Sequence, residues 1–165
     1  MAREIERKFL VTGDAWRDQV IQQTRLVQGY LNSIEETSCK SSVRIRIEGT
    51  QANINIKSLE IGLSRDEYEY PIALADAENM LKKLTVGPII EKIRYLVPAA
   101  IGVWEIDEFF GDNAGLIIAE LELPDERTPV TVPDWIGTEV TDDLKYYNVS
   151  LSKNPYSQWK QHETN

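Results

Sequence analysis

The sequence predicts a mainly β (α+β) protein with a few peripheral helices, formed as a single domain over residues 1–165. Apolar and polar side chains alternate with a period of two in eight segments, and turn-forming residues separate most of them. Eight strands in a chain of this length fit either a closed barrel, which leaves no unpaired edge, or a two-sheet sandwich. The predicted strands cover residues 3–11, 24–31, 42–49, 51–58, 65–72, 90–97, 102–109 and 115–123.

Two connections between these strands have helical patterns. Asp14 can cap a short helix over residues 15–20, and Asp76 can cap a helix over residues 77–84, where apolar side chains recur at three and four residues. Farther along the chain, several prolines disfavour a central strand. Residues 140–152 are predicted to hold one or two further helices.

The net charge of -9, from 27 acidic and 18 basic residues, argues against nucleic acid and anionic membranes as partners. The single cysteine, Cys39, excludes a disulfide framework and a multi-thiolate metal site, and the single histidine, His162, argues against zinc chemistry. No stretch approaches the roughly 18 apolar residues of a membrane span, and the N-terminus has no apolar signal region. We therefore expect a cytoplasmic enzyme or binding protein.

The polar faces of the predicted strands carry charges that repeat two residues apart, mostly with one sign on each strand. The acids are Glu4, Glu6, Glu67, Glu69, Glu105, Asp107, Glu120 and Glu122, and the bases are Lys8, Arg44, Arg46, Lys57, Lys92 and Arg94. For any single strand, a solvated face explains such a pair. Like charges clustered on seven strands repel one another unless ligands or counter-charges lie between them, which favours an inward direction, into the lumen of a barrel.

Such a lumen suits a particular chemistry. Carboxylates without nearby His or Cys favour a hard divalent cation, Mg²⁺ or Mn²⁺. The bases suit a polyanion, because the planar fork of Arg binds phosphate oxygens in pairs and a metal ion offsets the charge that develops when a phosphoanhydride breaks. The GxxxxGK[ST] and GxGxxG motifs are absent. The residues therefore predict a chain of phosphates, bound with a metal ion inside an acidic protein.

The segment Glu4-Ile5-Glu6-Arg7-Lys8 resembles the ExExK motif of the CYTH superfamily, the triphosphate tunnel metalloenzymes, and the chain is similar to its short bacterial members. The charge pairs follow in the family's order over the first 123 residues. Further similarities are Lys57-Ser58 with residues 62–69, which resemble K-S…GL-x-R-x-E-x-E, and Asp142, Tyr146 or Tyr147, and Asn148, which resemble a C-terminal D…Y-x-N element. The resemblance implies an eight-stranded antiparallel closed barrel that forms a charged tunnel.

The resemblance also implies roles for the charged residues. Metal binding falls to Glu4, Glu6, Glu120 and Glu122, with Glu67, Glu69, Glu105 and Asp107 holding further metal, water or the cations. Phosphate binding falls to Lys8, Arg44, Arg46, Lys57, Lys92 and Arg94. We expect Arg3 and Arg7 to face outward, and Arg65 and Lys145 to be surface charges rather than residues of the tunnel mouth.

Lys8 and Tyr30 are similar to a lysine–tyrosine pair that activates the attacking water in short bacterial members. A Lys beside other cations has a lowered pKa and can help to take a proton from water, directly or through a phenol. Two alternatives stay open. Tyr30 can instead fill the barrel as a packing residue, and the metal ion can activate the water without this pair.

The reaction we favour is metal-dependent hydrolysis of inorganic tripolyphosphate to pyrophosphate and phosphate, because the chain is compact and has no obvious added loop for a base or a thiazolium. The alternatives are a class IV adenylyl cyclase that makes cyclic AMP and pyrophosphate from ATP, a thiamine or nucleoside triphosphatase, and a non-catalytic polyphosphate-binding module. A lipocalin-like barrel would require the charged faces to point outward. The expected partner is a small-molecule triphosphate, and a homodimer is left open.

Overall fold

A computed structural model describes residues 2–35, 38–60 and 62–159, so His162 lies outside the described residues. The strands are β1 Ala2–Val11, β2 Gln22–Tyr30, β3 Ser41–Glu48, β4 Gln51–Ser58, β5 Ser64–Ile72, β6 Val86–Pro98, β7 Val103–Phe109, β8 Ile117–Glu122 and β9 Ile136–Glu139. The α-helices are α1 Leu74–Lys83 and α2 Asn148–Leu151, and single turns of 3-10 helix lie at Ala15–Gln19, Gly111–Asn113, Leu144–Tyr146 and Tyr156–Gln158. None of the helices in the described part of the chain is long and apolar enough to cross a membrane.

Antiparallel pairing in the order β5-β4-β3-β2-β6-β7-β8-β1 forms one sheet, and pairing of β1 with β5 closes it into a barrel. The predicted eight-stranded antiparallel closed barrel is therefore confirmed. β1 makes the closure by changing partners along its length. Its first half pairs with β5 through Ile5↔Ser64, and its second half pairs with β8 through contacts such as Lys8↔Glu120.

Some boundaries differ from the prediction. Helix α1 begins at Leu74, so Asp76 lies within its first turn, where its charge favours the helix dipole, and not at the cap. Asp14 precedes its 3-10 turn, but its carboxylate pairs with Arg17 instead of capping the backbone. The ninth strand, β9, follows the prolines and adds to the outer edge of β1. Its four residues are too few for a recognisable alternation.

The apolar faces of the strands point away from the barrel axis and are buried beneath peripheral segments. On one side, Phe9, Trp104 and Trp135 meet edge to face, with ring centroids 5.6 and 5.7 Å apart. On another side, Ala77 and Leu81 of α1 pack with Ile45 of β3. Burial of these faces supplies the hydrophobic stabilisation, which leaves the inner faces free to be charged.

A third apolar group, here called the end cluster, fills one end of the barrel. About half of its buried residues come from the strands and the turns next to them, and the other half come from the chain after β9. Its buried members are Tyr30, Ile90, Phe109, Leu116, Ile118, Val140, Tyr146, Tyr147, Val149, Leu151 and Trp159. The C-terminal segment, residues 140–159, therefore closes the barrel at this end. Its short helices Leu144–Tyr146 and Asn148–Leu151 lie within 140–152, where one or two helices were predicted.

Gly87 is where β6 meets the C-terminal segment. Its φ is 75°, and a Cβ atom there would lie 2.8 Å from the carbonyl oxygen of Ser152. Strand β6 begins at Val86, earlier than the predicted residue 90, because residues 87–89 form a bulge opposite Gly29 and the pairing with β2 continues beyond it.

We expect Gly87→Ala to lower the free energy of unfolding by about 2–3 kcal/mol, because both the backbone conformation and the Ser152 contact disfavour a side chain. Urea denaturation measures this loss of unfolding free energy. The matched control is Gly102→Ala, since Gly102 has a φ of 70° but no atom within 4 Å of the position that a Cβ atom would take. The control should cost only about 1 kcal/mol. Equal losses in both variants would contradict the role of the Ser152 contact.

Candidate active site

A polar cavity of about 200 Å³ lies inside the barrel. It is lined by Glu4, Glu6, Lys8, Tyr30, Ser42, Arg44, Arg46, Asn55, Lys57, Arg65, Glu67, Glu69, Lys92, Arg94, Glu105, Glu120, Glu122, Tyr147, Asn148 and Val149. Every predicted site residue except Asp107 is in this lining. The charged faces therefore point inward, which excludes an apolar, lipocalin-like interior for this barrel.

The cavity is open at one end and closed at the other. Glu69 and Glu122 are exposed at the open end, and the Glu105 side chain keeps 26% of its surface accessible. At the other end the Lys92 side chain is only 1% exposed, and the end cluster lies beyond it. The tunnel thus has an acidic mouth and a buried floor.

One group of ion pairs organises the lining near β1. Lys8 Nζ donates to Glu120 Oε1 at 2.9 Å, across the β1–β8 pairing. Lys57 Nζ donates to Glu4 Oε1 at 2.9 Å. Arg65 bridges the two carboxylates of β1, with its Nε 3.2 Å from Glu4 and its Nη2 3.2 Å from Glu6. Each cation of this group therefore already has a carboxyl partner in the barrel wall.

A second group joins β6 to β7. Asp107 lies behind the cavity wall, 1% exposed, and accepts hydrogen bonds from Lys92 Nζ at 2.7 Å and Arg94 Nε at 2.8 Å. Arg94 also donates to Glu105 at 2.6 Å. Although burial opposes ionisation, the attraction of Arg94 and Lys92 holds the pKa of Asp107 below its usual value. The structure thus places Asp107 as the anchor of two cations and not in the cavity lining.

Arg44 and Arg46 differ from the other cations. Each is only 8% exposed, and neither guanidinium forms a hydrogen bond or an ion pair with any residue that the structure describes. Burial, together with repulsion from Arg44 and Arg94, lowers the pKa of Arg46 to about 10. An unpaired buried cation is costly, so these two side chains mark the place where an anion would be stabilised most.

Glu6 and Glu120 form a carboxyl–carboxylate pair. Burial raises the pKa of Glu6 to about 8, and repulsion from Glu120 adds to the effect. Burial also opposes ionisation of Glu120, but the attraction of Lys8 and Arg94 and a hydrogen bond from Glu6 hold its pKa well below the usual value. At neutral pH Glu6 therefore keeps a proton beside an ionised Glu120, and a divalent cation could replace that proton.

The donor set fits Mg²⁺ or Mn²⁺ in kind, since Glu4, Glu6, Glu120 and Glu122 offer only carboxylate oxygens. Glu6 and Glu122 are also cross-strand neighbours on β1 and β8. Among the described residues, however, no three acidic, His or Cys side chains converge as a preformed metal site. Instead, Lys57 pairs with Glu4 and Arg65 pairs with Glu6, the two carboxylates of β1. A metal ion would have to displace these cations, and a phosphate chain offers them new partners.

The expected lowering of the Lys8 pKa is wrong. Burial lowers it, but the attraction of Glu120 and Glu6 outweighs burial and raises the pKa above its ordinary value. Tyr30 lies both in the lining and in the end cluster, as its two interpretations require. The aromatic ring beside Lys8 belongs to Tyr147, whose centroid is 5.0 Å from Lys8 Nζ.

The expectation that Arg65 is a surface charge is wrong, because it lines the cavity with 15% of its side chain exposed, and Tyr147 lies 5.0 Å from its guanidinium. The available signal was its position two residues before Glu67, on the same face of β5. Of the two candidate tyrosines, Tyr147 lines the cavity, whereas Tyr146 packs against Trp159.

The outward-facing basic residues lie as predicted. Arg3 pairs with Glu60 and Asp66, and Arg7 pairs with Glu139. Lys145 lies outside the tunnel, against the rings of Tyr146 and Trp159.

The sequence pattern of the CYTH domain family matches residues 2–156. Two curated relatives are each named inorganic triphosphatase. The one from Acetivibrio thermocellus is 43% identical over 161 residues, covering 98% of this chain and all of the relative. The one from Nitrosomonas europaea is 38% identical over 152 residues, covering 90% of this chain and 96% of the relative. A crystal structure of an inorganic triphosphatase superposes with a TM-score of 0.66 at 34% identity, covering 92% of this chain and 95% of that one.

Proposed function

Because the chain belongs to the CYTH domain family, we propose that it hydrolyses inorganic tripolyphosphate to pyrophosphate and phosphate with the help of a divalent cation. The observation that carries the proposal is the pair of unpaired buried arginines, Arg44 and Arg46, in the same cavity as a set of carboxylates. A pure anion-binding site has no use for carboxylates, which repel the ligand. A site that binds a phosphate chain together with a cation needs both.

Arg44 and Arg46 make the first contacts with the phosphate oxygens in this proposal, because they have no partner among the described residues to give up. Lys57, Lys92 and Arg94 also line the cavity but are held by Glu4, Asp107 and Glu105. They serve as further phosphate ligands once the chain competes for their hydrogen bonds.

Glu4, Glu6, Glu120 and Glu122 are the residues that we assign to the divalent cation, with Glu67, Glu69 and Glu105 nearer the mouth to hold water or cations. When bound, the cation would offset the negative charge that builds up on the phosphoryl oxygens as the phosphoanhydride bond breaks. We no longer assign Asp107 to the residues that hold metal or water. We assign it instead to positioning Lys92 and Arg94.

Lys8 and Tyr30 remain our candidates for handling the proton of the attacking water. The raised pKa of Lys8 depends on the attraction of Glu120 and Glu6. A divalent cation that engaged those carboxylates would remove the attraction that raises the Lys8 pKa, and burial and the neighbouring Arg65 would then act to lower it. In this proposal Lys8 accepts the proton of water only when its carboxylate partners are bound to the cation.

The test is the release of phosphate from tripolyphosphate, ATP and thiamine triphosphate with Mg²⁺ or Mn²⁺, while cyclic AMP is followed in the ATP sample. We expect fast release from tripolyphosphate, and none after chelation with EDTA. Cyclic AMP with pyrophosphate would replace the proposal with a cyclase. Tight binding of tripolyphosphate without turnover would indicate a non-catalytic polyphosphate-binding protein.

A further inference from the structure

Among the described residues, Arg44 has no carboxylate partner, although seven glutamates line the same cavity. We propose that Asn55 is the positioning residue that keeps Arg44 free to bind phosphate, because it holds the carboxylates of Glu67 and Glu69 at β5. The proposal rests on the phosphate binding inferred above. Three observations support it: the neighbours of Arg44 in the sheet, the reach of ion pairs in this barrel, and the hydrogen bonds of Asn55.

Neutral side chains surround the two arginines of β3. Their cross-strand neighbours on β2 and β4 are Tyr30 and Asn55 for Arg44, and Gln28 and Asn53 for Arg46. Each of the other five cations in the cavity lining has a carboxylate opposite or diagonal to it and forms an ion pair with that carboxylate. These pairs are Lys8–Glu120, Lys57–Glu67, Arg65–Glu4, Lys92–Asp107 and Arg94–Asp107. Neutral neighbours are therefore the first feature that sets β3 apart.

Neutral neighbours alone do not explain why Arg44 lacks a partner in the described chain, because ion pairs in this barrel reach across a whole strand. Lys57 on β4 donates to Glu4 on β1 at 2.9 Å, and β5 lies between these two strands. Arg44 on β3 and Glu69 on β5 are likewise separated by one strand, and Glu69 lies directly beyond Asn55 in the register. An arginine side chain is at least as long as that of lysine. Something must therefore hold Glu69 back from Arg44.

Asn55 holds both carboxylates through one amide group. Its side chain is buried, and its Nδ2 donates to Glu69 Oε2 at 3.0 Å and to Glu67 Oε2 at 3.1 Å. Because an ionised carboxylate only accepts, the amide nitrogen must face β5, and both of its hydrogens are committed there. Glu67 has a second partner in Lys57 at 3.4 Å, whereas Glu69 has no other partner in the part of the chain that the structure describes. Loss of the amide would therefore release Glu69.

The hold on Glu69 favours phosphate binding in two ways. An arginine that is paired with a carboxylate must lose that partner before it binds a phosphate oxygen, so its affinity for phosphate is lower. Arg44 is buried and lines the cavity, where the release of Glu69 would give it such a partner. Asn55 also keeps the negative charge of Glu69 at the exposed mouth, where water screens its repulsion of the phosphate chain.

The experiment measures the binding of tripolyphosphate by calorimetry in EDTA, where metal-dependent hydrolysis does not proceed. Asn55→Leu keeps a neutral neighbour beside Arg44 but removes the amide, so the dissociation constant should rise about tenfold as Glu69 pairs with Arg44. In a Glu69→Gln background there is no carboxylate at this position to release. The same Asn55→Leu change should then raise the dissociation constant less than about twofold. An equal loss in both backgrounds would overturn the proposal, since Asn55 would then act on the phosphate directly.

Asn53→Leu is the matched control. Asn53 lies on the same face of β4 and opposite Arg46, but its neighbour on β5 is Pro71 and not an acid. Its side chain forms no hydrogen bond with any residue of the described ranges. The affinity for tripolyphosphate should therefore stay within about twofold of the wild type. A loss as large as that of Asn55→Leu would mean that polarity on β4, and not the hold on Glu69, explains the result.

A crystal structure of ligand-free Asn55→Leu gives a readout that does not depend on phosphate. The Arg44 guanidinium should lie within about 4 Å of a Glu69 oxygen, and an unpaired Arg44 in this variant would overturn the proposal. Asn55→Ser replaces the leucine variant if the latter does not fold. Its hydroxyl has one hydrogen for two carboxylates, so a loss of about threefold with the same recovery in Glu69→Gln is expected.

The outcomes for binding and turnover separate this inference from the proposed function. Binding of tripolyphosphate with the expected pattern across the variants, but without turnover in Mg²⁺ or Mn²⁺, would overturn hydrolysis and leave the role of Asn55 intact. Binding to neither the wild type nor any variant would overturn both. Turnover in the wild type with the same affinity in Asn55→Leu would overturn the role of Asn55 alone.

Discussion

Glu6→Gln should abolish the metal-dependent turnover of tripolyphosphate while the protein stays fully folded. Glutamine has the shape of the protonated Glu6 carboxyl and can still donate a hydrogen bond to Glu120, so the metal-free fold at neutral pH loses nothing. It cannot ionise to bind a divalent cation. We expect kcat/KM to fall about a hundredfold or more, with the wild-type circular dichroism spectrum retained.

The same variant has a pH signature. The folded protein holds the Glu6 proton up to a pKa of about 8, whereas the unfolded chain releases it near the ordinary value of 4.5. Between these two values the unfolded state binds fewer protons, so Glu6 makes the wild type progressively less stable as pH rises. In EDTA, the urea midpoint of Glu6→Gln should rise relative to wild type from pH 5 to pH 8. A constant difference across this range would contradict the raised pKa.

Arg46→Leu should weaken tripolyphosphate binding about a hundredfold, the effect of losing two charge-assisted hydrogen bonds to phosphate. Its stability should be equal to that of the wild type or higher, because the variant removes a buried cation that has no partner among the described side chains. Calorimetric titration and urea denaturation measure the two effects. The combination of weaker binding and undiminished stability is characteristic of a residue kept for its ligand.

Arg25→Leu is the matched control. Arg25 lies on the outer face of β2, with 64% of its side chain exposed, and pairs with Glu91. Its loss should leave the affinity for tripolyphosphate within about twofold, since an exposed ion pair contributes little. Equal losses of affinity in the two variants would mean that net charge, and not a contact in the tunnel, explains the effect of Arg46.

The inner faces could be predicted because alternation in an antiparallel strand is strict. Once Arg44 and Arg46 share a face, the β3–β4 register brings them opposite Asn55 and Asn53 whatever the surroundings. Alternation does not say which face is inside. The repetition of like charge indicated the inner face, because a cluster of like charges is stable only around a ligand or around opposite charges.

Features that depend on contacts between distant segments could not be predicted. Tyr146 and Tyr147 are adjacent, and in a segment of single helical turns no periodicity indicates which of them faces the tunnel. The inward direction of Arg65 was missed because of its positive charge, since a base two residues before Glu67 interrupts the pattern of like charges on that strand. The raised pKa of Lys8 follows from its distance to Glu120, which only the closed barrel defines.

Closure by the first strand has a kinetic consequence. Lys8 and Glu120 are 112 residues apart in the chain, so the strand made first waits for one of the last strands before the ring of hydrogen bonds is complete. Pairing across so long a loop makes for slow folding, on the scale of milliseconds to seconds in proteins rich in such contacts. The lining is enclosed only when β1 has joined both β5 and β8. We therefore expect the cations and carboxylates to lose their water together on closure, when most already have a counter-charge within reach.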